Sequence, residues 1–122
     1  MKRDMDLVRK ILLAVEIEKS GHAPDKLMIE EYTEEQIGYH VLIMIEANLL
    51  EGEEVSELGS PSPMGMASRM TWEGHDFLDA CREEKRWQTA KGIANQIGGV
   101  TLDVFKKVLA ELMVSQAKGL IS

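Results

Sequence analysis

Three breaker clusters punctuate the chain: Ser20-Gly21-His22-Ala23-Pro24, the run from Gly59 to Gly65 with its two prolines, and Gly98-Gly99. Glycine ends helices in the left-handed conformation and proline cannot continue them, so the fold must be assembled from short segments between these stops. No internal repeat relates the segments, and 122 residues support one domain with a genuine core. No stretch approaches the ~20 apolar residues needed to span a bilayer. Met1-Lys2-Arg3-Asp4 runs straight into an amphipathic pattern without a signal-peptide core, so a cytoplasmic location is expected.

Between the breakers the apolar periodicity is mostly helical. From Asp4 to Lys19, Val8, Ile11, Leu12 and Val15 form one stripe among charged residues. Lys26 to Ile29 reads as a short edge strand, or alternatively as a loop that plugs the core. Thr33 followed by Glu34, Glu35 and Gln36 is a helix start, with a hydroxyl cap, a capping-box Gln and acids in the first turn. That helix is expected to run to Ala47, with Asn48 as its left-handed stop. Leu49 to Leu58 and Ala67 to Thr71 are the expected arms of a β-hairpin with a long tip. Thr71 then caps a helix carrying Phe77, Leu78 and Cys81. A further helix spans Glu83 to Gln96. Thr101 opens the last, whose stripe comprises Leu102, Phe105, Val108, Leu109, Leu112 and Met113, broad enough to serve both core and dimer partner. Trp72 and Trp87 are expected to anchor the hairpin and the C-terminal helices to the core.

The net charge of −7 is concentrated in the middle of the chain. Leu27 to Ser68 holds nine Glu and no Lys or Arg, whereas the flanking segments are nearly balanced. Such a segment repels phosphate backbones and attracts basic surfaces.

Catalytic or metal-binding constellations do not emerge. The three His and single Cys show no spacing of the kind that converges ligands on a metal. His75 and Asp79 suit a surface pair, and His40 beside Tyr39 is expected to hydrogen-bond at the helix surface. Cys81 is expected to be a small buried hydrophobe. Gly98-Gly99 is a helix break and not a phosphate loop. No enzyme activity, cofactor, metal or small-molecule substrate is expected.

Ile37-Gly38-Tyr39-His40-Val41, with Met44, Ala47 and Leu49-Leu50 after it, resembles the recognition helix and exit strand of small bacterial winged-helix repressors. Met70-Thr71-Trp72-Glu73-Gly74-His75-Asp76-Phe77-Leu78 resembles the strand-to-helix step after the wing of that fold. Four ordered segments, MKRDMDLVRKIL, YHVLIMIEANLL, RMTWEGHDFLDA and GGVTLDVFKKVLAEL, are together similar to the domain-of-unknown-function family DUF2513 of bacteria and their phages. The resemblance implies phage or prophage provenance and brings no activity and no catalytic residue. The resulting expectation is a mostly helical α+β fold: a winged-helix-like core over residues 1–83 with a β-hairpin wing, and a helical C-terminal extension over 84–122 packed on the same domain.

In the repressor-like register Ile37, Val41 and Met44 face the core, leaving Gln36, Tyr39, His40, Leu42, Ile43 and Glu46 on the side that would meet DNA. Base edges and phosphates call for Arg, Lys, Asn or Gln, and this helix brings no permanent cation. The wing contributes Glu51, Glu53, Glu54 and Glu57 where phosphate contacts belong. Nucleic acid is therefore not expected on this face. The expected role is a non-enzymatic interaction module with a protein partner or a second copy, through Tyr39, Leu42, Ile43, Glu46, Glu53 and Glu54. A dimeric DNA-binding transcriptional regulator is the alternative.

Overall fold

The computed structural model describes residues 1–99 and 101–121. They form five helices and one two-stranded antiparallel hairpin, the mostly helical α+β class indicated by the sequence. The chain divides into two compact units, Met1–Asp76 and Phe77–Ser122.

In the first unit, helix α1 (Met5–Glu16) starts where the Asp4 side chain accepts the Leu7 N–H, which satisfies one orphan donor of the first turn. It buries Leu7, Val8, Ile11, Leu12 and Val15 along one face. The helix stops three residues before the expected Lys19, because the apolar stripe ends at Val15 and the next large apolar residue, Ile17, is exposed.

Residues 26–29 are not a strand. The extended pairing onto the hairpin is made earlier, by a bridge between His22 and Arg69 and by the Ala23 N–H donating to the Ser68 carbonyl at 2.8 Å. The loop reading of this segment applies: Leu27 is half-buried and lines a small cavity of about 160 Å³ with Ile37, Val41, Val55 and Met64, while Met28 is exposed.

Helix α2 (Glu34–Glu46) has the capping box anticipated from Thr33 and Gln36, with both reciprocal bonds formed. Asn48 follows it at φ 62°, the left-handed conformation that Asn tolerates with little cost. Strand β1 (Leu50–Glu54) pairs with β2 (Gly65–Met70), from Leu50 opposite Met70 to Glu54 opposite Gly65, with an irregularity between Glu51 and Gly52. The first arm begins one residue later and ends four residues earlier than expected, and the second begins two residues earlier. The ladder is closed by the Val55 N–H donating to the Met64 carbonyl, and Ser56 turns inward to bond Met64 instead of continuing the strand.

Helix α3 (Trp72–Cys81) begins at Thr71, which is buried and bonded twice: its hydroxyl donates to the Asn48 carbonyl at 2.6 Å and accepts the Gly74 N–H. Its buried face is Gly74, Phe77, Leu78 and Cys81, spaced i, i+3, i+4, i+7. Gly74 sits where an added Cβ would lie 2.1 Å from the Leu49 carbonyl oxygen. Trp72 is off that face and 78% exposed, so the expectation that it anchors the hairpin to the core is wrong. The cap fixes the helix phase, and two residues before Gly74 is the wrong angle for burial.

The second unit is organised by Trp87, which is fully buried as expected. Helix α4 (Glu84–Ile97) carries it, with Ala90 and Ala94 on the same buried face, and ends at Gly98 in the left-handed conformation. Helix α5 (Leu102–Ile121) is capped by Thr101, whose hydroxyl accepts the Val104 N–H. The Trp87 ring stacks on Phe105 at 5.0 Å between centroids and meets Phe77 edge-on at 6.5 Å. Arg86 ties the unit together by donating to the Ala80 carbonyl and to the Gln116 side chain.

Candidate interaction surface

Helix α2 is fixed on one side by burial of Ile37, His40, Val41 and Met44, which sets the direction of every other side chain on it. His40 is buried and not at the helix surface, which corrects its sequence assignment. Its Nδ1 donates to the Gln36 carbonyl and its Nε2 accepts the Asp4 N–H, both at 2.8 Å. Asp4 in turn caps α1 through Oδ1 and accepts the Tyr32 hydroxyl through Oδ2 at 3.0 Å. The ring thus joins the start of α1 to α2, a role that leaves no nitrogen for an external ligand. Burial, the bond to Asp4 and the nearby charges of Asp4, Asp6 and Glu31 push the Tyr32 phenol up to about 12.

Tyr39, Leu42 and Ile43 are half-buried, and Glu46 is exposed at the end of the helix. Tyr39 meets the His40 ring edge-on. Leu42 lies under the hairpin: a Cβ at Gly65 would sit 2.7 Å from both the Leu42 N and Cα atoms. Only glycine permits that approach, so the start of β2 rests directly on the α2 backbone. Leu42 is thus covered by the chain's own hairpin. Ile43 has no such glycine contact.

Glu53 and Glu54 project from β1 into solvent, opposite Met66 and Gly65 on the neighbouring strand. Glu51 is ion-paired with Arg69, the one basic residue of the two strands, so that cation is already compensated by a carboxylate. Beside this pair lies an open cleft of about 650 Å³, lined by Asn48, Glu51, Arg69, Trp72, Glu73 and His75. Trp72 lines this cleft with its indole exposed, a placement that the sequence reading missed. Its offset from the 74, 77, 78, 81 stripe was the available signal.

The remaining chemistry candidates are placed as follows. Cys81 is buried, as expected. Asp79 pairs with Arg82 at 3.0 Å. Among the described residues no group of three or more His, Cys, Asp or Glu could hold a metal ion, and no helix is long and apolar enough to cross a membrane.

Comparison with known proteins agrees with the resemblance carried by the four sequence segments. The family model described as hypothetical protein (DUF2513) matches residues 2–101. The chain is also 33% identical over 120 residues to an uncharacterized protein of Haemophilus influenzae, covering 95% of this chain and 98% of that one. No solved structure matches the chain. With the family model extending from before α1 through α4 to the cap of α5, the chain belongs to the DUF2513 family.

Proposed function

We propose that this chain is a non-enzymatic protein-interaction module of phage or prophage origin, built on a winged-helix-like scaffold and acting in the cytoplasm. The partner is a protein with a basic surface. The observation that carries this reading is the electrostatics of the α2–hairpin region: nine Glu and no Lys or Arg between Leu27 and Ser68, with Glu46, Glu53, Glu54 and Glu57 exposed. A surface of one sign steers an oppositely charged partner and rejects nucleic acid. Order of elements supports the scaffold: a hairpin follows the would-be recognition helix, and its strand β2 leads directly into α3.

The test is affinity capture from bacterial lysate at rising salt, comparing the natural sequence with the Glu53→Lys/Glu54→Lys variant. A captured basic protein that is lost at high salt and lost with the variant supports the reading. Equal capture by both proteins overturns the assignment to the hairpin acids. A gel shift at low salt with duplex DNA would replace it with the DNA-binding regulator, because phosphate contacts would then have been made despite this field.

A further inference from the structure

Helix α5 is used by its own unit along one stripe only. Phe105 and Leu109 are buried, Leu112 is half-buried, and Gln116 on the same side is held by Arg86. A second stripe, about a third of a turn away by the 3.6-residue period, consists of Ala110, Met113, Val114, Ala117, Leu120 and Ile121. All six are exposed; Val114 is 53% open to solvent, Leu120 83% and Ile121 85%. Their spacing of i, i+3, i+4, i+7, i+10 and i+11 is that of a helix seam that can meet another helix. Large exposed apolar side chains in one row mark a contact surface, unlike the same residues scattered singly.

We propose that this stripe is a homodimer interface in which two copies of α5 pair antiparallel. Two features of the sequence of this face select a second copy. The first is charge. Glu111 and Lys118 lie seven residues apart on the same edge of the stripe. In an antiparallel pair like edges meet, so Glu111 of each copy comes opposite Lys118 of the other, giving two complementary pairs by symmetry. The second is size. The same register sets Met113 opposite Ala117 and Ala110 opposite Leu120, so large side chains meet small ones, with Val114 close to the two-fold axis. Ala110 and Ala117 allow the helices to approach closely. A parallel pairing loses both features, because the Glu111 edge then meets the opposite edge of the stripe. Moreover, residues 27–68 carry nine Glu and no Lys or Arg, a charge that opposes self-association there, whereas acid and base nearly balance along this helix.

The paired segment is twelve residues, about 18 Å of helix, so the dimer belongs to the weak, concentration-dependent class. Sedimentation equilibrium of the full chain from about 5 to 500 μM spans the dissociation constants expected of so small an interface. Leu120→Lys, a change at an exposed position, is expected to abolish dimerisation while the thermal melt of the monomer stays unchanged. Glu111→Lys and Lys118→Glu are each expected to weaken the dimer roughly three- to tenfold, and the double swap to recover it, as exposed ion pairs doubled by symmetry would. A natural sequence that stays monomeric throughout overturns the proposal. So does a Leu120→Lys variant that dimerises normally, or a double swap that fails to recover.

Discussion

The two units solve the problem of a small core in different ways. The first packs aliphatic side chains of α1 and α2 beneath a hairpin, and it closes the remaining distance with backbone: Gly65 against Leu42, Gly74 against Leu49. The second places one large aromatic, Trp87, between Phe77 and Phe105. A backbone contact is intolerant of any added atom, whereas an aromatic stack is intolerant of removal. The contrast is sharpest in the two tryptophans, one fully buried and one mostly in water.

The largest effect is expected from Trp87→Ala, which empties the centre of the second unit and should cost about 3–5 kcal/mol, the usual range for truncating a buried aromatic. Chemical denaturation measures it, and Trp72→Ala serves as the counterpart, expected within about 0.5 kcal/mol of the parent because that indole is exposed. Equal losses at both positions would erase the distinction between them. Gly65→Ala should cost about 1–3 kcal/mol, as overpacking does when a methyl group meets fixed backbone. The same measurement checks it, and an unchanged midpoint would show that β2 does not rest on α2.

Thr33→Ala removes one half of a capping box in the first unit and is expected to cost about 1 kcal/mol. The smallest effect concerns alkaline pH. Tyr32 has its ionisation raised from 10.0 to about 12 in the folded chain, so the folded state holds that proton more tightly than the unfolded state does. Its stabilising contribution is complete below pH 10 and is lost as pH rises toward 12. Tyr32→Phe should flatten the fall in stability across that window, as followed by denaturation at several pH values.

Much of this architecture was legible in the sequence because it rests on local chemistry. Thr33 with Gln36, Thr71, Thr101, Asn48 and Gly98 stand at helix ends for reasons that involve only a few neighbouring residues, and each was readable from its side chain alone. Burial of Ile37, Val41 and Met44 was what the repressor-like register implied. The acidic middle of the chain, which carries the candidate site, was likewise a matter of counting charges. His40 was misplaced because a single polar residue on a helix reads as solvated, and its partner Asp4 lies 36 residues away. Sequence spacing says nothing about such a meeting.

What the sequence determined by itself is the five helices and the hairpin, most of their caps and the sign of the charge on the α2–hairpin region. Those depend on interactions within one or two helical turns and on composition. The tertiary structure alone decided which faces were covered and by what. It put the hairpin over Leu42 through a glycine contact, turned Trp72 out and Trp87 in, and left the second stripe of α5 open. Periodicity gives the angle of a side chain about its own helix. Whether anything lies in that direction depends on segments far along the chain, and close backbone approach at a glycine leaves no apolar pattern to read.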